Sequence, residues 1–177
     1  SEIKLSAFRN YASIATEFAP KHVVLSGANG AGKTNLLEAI SLLSPGRGMR
    51  RAALADMQHN KAADGFSVFA TLHKGGEEFA IGTGTAGNDP GTAPVRRVRI
   101  NGTTAKSADE LSDLCRVIWV TPAMDGLFTG ATSDRRRFLD RMVLAIDPGH
   151  GKRVSNYEKA MRNRNRLLDE PSNQQSD

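Results

Sequence analysis

The chain is poor in cysteine and in aromatic side chains, with one Cys and 6% Phe, Trp and Tyr in 177 residues. A lone Cys115 forms no internal disulfide and no thiolate zinc site, so a reducing compartment is expected and Cys115 reads as a small buried hydrophobe. Sparse aromatics beside 17 glycines argue against a β-sandwich and for an α/β domain with many tight turns. No run approaches the roughly 18 apolar residues of a membrane-spanning helix, and no charged-then-apolar leader opens the chain. A cytoplasmic protein with no membrane partner is the expectation. His22, His59, His73 and His150 lack metal-ligand spacing, and no Ser/His/Asp or Cys/His arrangement stands out. What is present is 39% hydrophobic residues, enough for a real core, and a net charge of +5. That excess suits a polyanion such as nucleic acid.

Along the chain, Ile3 to Phe8 and Ile14 to Phe18 alternate apolar and polar around "RNY", as a β-pair does. Val23-Val24-Leu25 reads as a short buried strand. From Lys33 to Leu43 the residues Leu36, Leu37, Ile40 and Leu43 recur at helical spacing, and Ser44-Pro45-Gly46 ends the helix. A second short helix is expected from Arg51 to Met57. Strands are expected at Phe66 to Leu72, Phe79 to Ile81 and Val95 to Ile100, with a Gly-rich loop from Gly82 to Pro94 and a hairpin turn at Asn101-Gly102. Ser107 should cap a short helix to Leu114. Cys115 to Val120, containing Trp119, fits a buried strand. After it come helices at Asp134 to Ile146 and Lys152 to Leu168. Phe138, Leu139, Met142, Val143 and Ile146 lie on one side of the first. The layout is an ATP-binding lobe at 1–120, a partial helical lobe at 121–170 and a polar tail at 171–177.

Gly27-Ala28-Asn29-Gly30-Ala31-Gly32-Lys33-Thr34 matches G-x-x-x-x-G-K-[ST], the phosphate-binding Walker A loop, between an expected strand and an expected helix. Glycines let successive N–H groups and the helix N-terminus face the phosphates of ATP. Lys33 would reach the β- and γ-phosphates, and the Thr34 hydroxyl would ligate Mg²⁺. Glu38, one turn later, is by default a solvated helix residue, the metal site being its alternative. The β-pair ahead of the loop suggests an ATP-binding-cassette layout, with an antiparallel β-subdomain flanking the nucleotide.

At "FRNY" (Phe8 to Tyr11), "GANGAGKTNLLEAISLLSPGRGMR" (Gly27 to Arg50), "RRRFLDR" (Arg135 to Arg141) and "YEKAMRNRNRLL" (Tyr157 to Leu168) the sequence resembles the RecF family of bacterial recombination mediators, related to the SMC proteins. The resemblance implies an α/β P-loop NTPase lobe of ABC/SMC-head type with an antiparallel β-subdomain, followed by the start of an α-helical lobe. It implies ATP and Mg²⁺ as ligands and an ATP-dependent homodimer of the full protein. DNA, gapped or at single-/double-strand junctions, is the implied substrate. RecR and RecO are the implied partners, in loading RecA. Carried over by residue, Asn29 is the Asn that approaches the γ-phosphate, and Asn35 follows the metal-binding Thr34. Arg9 falls where SMC-like heads place a basic residue near the nucleotide, and Arg47 and Arg50 where an arginine acts on the phosphates. Arg9 as a surface strand cap is the alternative. Arg50 and Arg51 could equally touch DNA phosphate.

Departures accompany the matches. Pro122-Ala123-Met124-Asp125 stands where the family carries Pro-Glu-Asp, and no Gln ends the run at Val120. His150 replaces an aromatic residue in the Asp147-Pro148 turn, which reads as a packing change. Nowhere is a run of four apolar residues followed by the Asp-Glu pair that would hold Mg²⁺ and polarise water, and the Ser-Gly-Gly-Gln-like signature is missing. The expectation is therefore an N-terminal part that binds ATP and does not hydrolyse it by itself. Arg135, Arg136 and Arg137 are candidate DNA contacts against the default of a solvated helix face. Arg97 and Arg99 read as guards of an exposed strand. Two other readings are a small-molecule P-loop kinase with "DRRRFLDR" as a lid, and a catalytically silent DNA- or partner-binding module.

Overall fold

A computed structural model describes residues 1–86 and 92–169. The middle of the expected Gly-rich loop and the polar tail lie outside them. The chain divides into two compact units, Ser1–Trp119 and a second beginning at Val120.

The first unit is built on a six-stranded antiparallel sheet in the order β2-β1-β3-β4-β5-β6. Its strands are β1 (Glu2–Phe8), β2 (Tyr11–Glu17), β3 (Ser67–Lys74), β4 (Glu77–Gly84), β5 (Arg97–Ile100) and β6 (Thr103–Thr104). Period-two alternation decides which face is dry. Leu5 pairs with Ile14 on one side and Val68 on the other, and Val68 with Thr83, which pairs with Val98, so one row of the core crosses from β2 to β5. The helix α1 (Lys33–Ser41) adds Leu36 and Ala39 to this core, and Leu42, Leu43, Met57 and Leu111 close it. Each fully buried Leu or Met contributes about 1.5–3 kcal/mol. Phe8 and Phe66 meet edge to face, centroids 5.3 Å apart.

Turn chemistry follows the sequence. Gly75-Gly76 joins β3 to β4, and Asn101 (φ 49°) with Gly102 (φ 81°) makes the hairpin between β5 and β6. Ser107 accepts from the Asp109 N–H and Glu110 reaches back to the Ser107 N–H, a capping box ahead of α3 (Leu111–Leu114). The helix expected from Arg51 shortens to α2 (Leu54–Met57), and β4 runs from Gly82 through Gly84 into the expected loop.

Two expected strands are corrected. Residues 23–25 make no ladder among the described residues, and Val23 and Val24 stand 50% and 87% exposed. Cys115 to Val120 likewise makes no ladder among the described residues, with Cys115, in extended backbone, and Val117 against the core and Ile118 in solvent. A strand exists only where a neighbour satisfies its N–H and C=O groups. The apolar runs record a demand for burial without naming the partner that meets it. Burial pushes the Cys115 thiol up, with Lys74 opposing, so the thiol stays protonated at neutral pH.

Arg96, which carried no signal in the sequence, ties α1 to the sheet. Its guanidinium donates to the Thr83 hydroxyl (2.8 Å) and to the carbonyls of Leu42, Ser44 and Gly46 at the helix C-terminus. A cation there satisfies carbonyls that the helix leaves open. Burial lowers its pKa to about 10, so it remains charged at neutral pH.

The second unit, described by itself, is a helical hairpin of α4 (Thr132–Leu144) and α5 (His150–Asp169). The apolar side expected on the first of these is only partly covered, with Leu139, Met142 and Ile146 exposed. His150 is more than packing: its Nε2 lies 2.9 Å from Asp140 Oδ1. Arg136 stands 3.6 Å from the same carboxylate and its guanidinium 4.5 Å over the Tyr157 ring. At the turn, Asp147 accepts from Arg153 and from the Gly149 N–H. The Arg153 hydrogen bond is the main cause that holds the Asp147 carboxyl below its ordinary value.

Arg96→Met should lower the unfolding free energy by about 1–3 kcal/mol in urea denaturation; an unchanged midpoint would mean that desolvating the guanidinium cancels its bonds. Because the Asp147 pKa is depressed in the folded state, its contribution is present above the ordinary carboxylate range and lost as pH falls through the folded value. Protection of the Asp147, Gly149 and His150 amides, relative to the intrinsic exchange rate at each pH, should therefore fall in acid, and Asp147→Asn should remove that acid response.

Candidate phosphate-binding site

The Gly-rich loop adopts the backbone that its glycines permit. Gly30 has φ 81° and Gly32 φ 103°, a region that L side chains rarely enter. A Cβ on Gly30 would meet nothing within 4 Å, so the mouth of the loop is open. At Gly32 the reverse holds: a Cβ would lie 2.6 Å from the Tyr11 hydroxyl and 2.8 Å from Asn10 Nδ2. The β1–β2 turn is therefore a roof over the last glycine of the loop.

Gly32 is the N-cap of α1, with no side-chain cap and no acidic residue in the first turn. Helix N–H groups left without side-chain partners, at the positive end of the helix dipole, suit an anion. Lys33 arcs back so that Nζ donates to the carbonyls of Gly27 and Ala28, both at 2.7 Å. Its ammonium is thus held at the rim of the loop. Asn29, Ala31 and Thr34 are exposed beside it. Open loop, lysine, uncapped helix end and exposed Thr34 hydroxyl fit a nucleotide triphosphate with Mg²⁺. Among the described residues no cluster of three or more His, Cys, Asp or Glu forms a preassembled metal site.

Glu38 corrects its default reading as a solvated residue, being 0% exposed. A buried carboxylate demands cations with good geometry. Arg9 meets it bidentately, Nε to Oε2 at 2.9 Å and Nη2 to Oε1 at 2.7 Å. Arg50 Nη1 adds a third bond to Oε2 at 3.0 Å. Arg9 is otherwise pinned: its Nη1 donates to the Asp56 carbonyl at 2.6 Å, its N–H to the Met57 carbonyl at 2.7 Å, and its φ is 52°. Arg50 Nη1 also donates to Asn35 Oδ1, and Asn35 Nδ2 to Asn10 Oδ1, each at 2.8 Å. A continuous chain of hydrogen bonds runs from Glu38 through Arg50 and Asn35 to Asn10, in the roof over Gly32.

Of the other residues singled out, Arg47 donates to the Ala52 carbonyl at 3.3 Å, and Arg51 is exposed with φ 54°. In the second unit Arg135 braces the turn before α4 through the carbonyls of Phe128 and Gly130, and Arg137 pairs with Asp134 at 2.6 Å. Sequence reasoning missed Asn10, Tyr11 and the burial of Glu38. The "RNY" break in the β-alternation was the available signal for the roof.

The family model described as RecF/RecN/SMC N terminal domain matches residues 1–117. The chain is 62% identical over 170 residues to "DNA replication and repair protein RecF" of Rhizobium leguminosarum bv. trifolii (strain WSM2304), covering 96% of this chain and 45% of that protein. With the protein of the same name from Agrobacterium fabrum (strain C58 / ATCC 33970) the identity is 61%, over the same shares. The chain thus spans about half the length of these relatives. Its fold is similar to a solved "recombination mediator protein RecF-ATPrS in RecFOR pathway", with TM-score 0.84 and 28% identity over 99% of this chain and 46% of that one. A second solved structure, described as RecF-ATP, gives TM-score 0.79 and 29% identity, also over 99% and 46%.

Gly32→Ala combines a positive φ with a collision against Tyr11 and Asn10. It should cost about 1–3 kcal/mol of stability, measured by chemical denaturation, whereas Gly30→Ala should carry only the backbone part of that penalty.

Proposed function

Because the chain belongs to the RecF/RecN/SMC N-terminal domain family, we propose that it is the nucleotide-binding half of an ATP-dependent, DNA-binding recombination mediator of RecF type, acting in DNA repair and replication in the cytoplasm. The observation that carries this reading is the uncapped N-terminus of α1, with Lys33 at the rim of an open glycine loop.

Gly27 to Lys33 would cradle the phosphates through backbone N–H groups and the Lys33 ammonium, and the Thr34 hydroxyl would take a Mg²⁺ position. Bound Mg-ATP supplies phosphate charge at the helix end. Asn29 would approach the terminal phosphate. Arg9, held by both Glu38 oxygens and the Asp56 carbonyl, is a structural cation in this reading rather than a ligand. Arg50, tied to Asn35 beside Thr34, belongs to the nucleotide side rather than the DNA side. Arg47 lies on the same connection. DNA phosphate contacts fall to Arg51 and to the exposed parts of Arg135, Arg136 and Arg137, contacts that position without reading sequence. No run of four apolar residues followed by Asp-Glu, and no Ser-Gly-Gly-Gln-like segment, stands in these 177 residues. Turnover would therefore require the remainder of a longer protein, in a homodimer around ATP, with RecR and RecO as partners.

Calorimetric titration of Mg-ATP into the chain and into Lys33→Ala tests this. Saturable binding without continuing heat, weakened about 10- to 100-fold in the variant through loss of a charge-assisted contact, is expected. Sustained turnover would favour the kinase reading, and absence of binding would leave a DNA- or partner-binding module.

A further inference from the structure

One buried carboxylate, Glu38, faces two guanidiniums that differ in commitment. Arg9 is 19% exposed, holds both carboxylate oxygens and is fastened through Nη1 to the Asp56 carbonyl. Arg50 is 40% exposed and holds a single carboxylate oxygen together with an asparagine. A single cation neutralises a single carboxylate, so the cluster carries one surplus positive charge. Geometry assigns that surplus to Arg50, since Arg9 gives Glu38 the bidentate pairing that a desolvated carboxylate needs.

We propose that the Arg9–Glu38 pair is a positioning device for the nucleotide site: by neutralising Glu38 with Arg9, the fold holds Arg50 beside the first turn of α1 without binding it tightly, leaving its charge available to an anion there. Neither Arg9 nor Glu38 touches the nucleotide in this arrangement. Both act through Arg50. This rests on the reading of the loop as a nucleotide site.

The arrangement carries a consequence that a merely structural ion pair would not. If Arg9 is removed, Glu38 is left with Arg50 as its only cation, and the two must pair tightly, since a bare buried carboxylate is the costly alternative. The available charge is then consumed. If Glu38 is removed as well, Arg50 keeps only its neutral partner Asn35 and its charge returns. Loss of affinity in Arg9→Met should therefore be restored by adding Glu38→Gln, although the double variant has lost every bond of the buried pair.

The test is Mg-ATP titration of the 177-residue chain as wild type, Lys33→Ala, Arg9→Met, Arg50→Met, Arg9→Met/Glu38→Gln and Arg9→Met/Arg50→Met, each with its thermal midpoint. Arg9→Met and Arg50→Met should each weaken binding about tenfold, the scale of one charge-assisted contact. Arg9→Met/Glu38→Gln should bind within about threefold of wild type, and Arg9→Met should add nothing in the Arg50→Met background. Affinity that merely follows the thermal midpoint, with no restoration by Glu38→Gln, would overturn the proposal while the Lys33→Ala comparison leaves the nucleotide reading standing. A second readout is independent of ligand: ¹⁵N NMR of the Arg50 guanidinium in the free chain. Rotation about its Cζ–Nη bonds should be slowed by Arg9→Met and released again in the double variant; equal mobility in the wild type and Arg9→Met would refute the device even if no nucleotide binds.

Discussion

The burial of Glu38 is the constraint on which the first unit turns. A carboxylate with no exposure beneath a glycine loop must be neutralised on the spot, and the groups that do so arrive from distant parts of the chain. Arg9 comes from the β1–β2 turn and Arg50 from the segment after α1, and both converge on the second turn of that helix. Satisfying one charge therefore fixes the roof, the helix and the following loop in a single arrangement. At the C-terminal end of α1 Arg96 does the same for the open carbonyls, so the helix is held to the sheet by guanidiniums at its second turn and at its end as well as by Leu36 and Ala39.

A phosphate loop works only if its helix keeps the right direction, because the N–H groups and the dipole point along the axis. Apolar packing alone tolerates some sliding. Directed, charge-assisted bonds do not, since their strength falls steeply with misalignment. The polar frame around α1 is therefore a means of aiming the site, and the core beneath it supplies the stability. The exposed Val23 and Val24, and Ile118 in the segment after α3, mark apolar surface on this unit that the described residues leave uncovered.

Much of this was legible in the residues. The motif Gly27 to Thr34, the start of α1 at Lys33, the Asn101-Gly102 turn and the Ser107 cap depend on a few neighbouring side chains and backbone preferences, and local rules read such things well. The strands expected at Val23 to Leu25 and Cys115 to Val120 were misread because apolar composition reports only that a segment seeks burial, not whether a hydrogen-bonding neighbour lies beside it. Glu38 was misread for a related reason. Its helical position suggested solvent, and its counter-ions stand 29 residues before it and 12 after it, at separations that no local pattern spans.

By itself, then, the sequence determined the glycine loop from Gly27 to Thr34, the helix that follows it and the alternation that makes an antiparallel sheet, because each is set by chemistry within a few residues. Tertiary structure alone decided that Arg9 serves Glu38, that Arg50 is held beside Asn35, that Arg96 closes the helix end, and that Asn10 and Tyr11 roof the last glycine. Charges find partners by distance in space, and the desolvation that makes those partners obligatory exists only after the chain has folded.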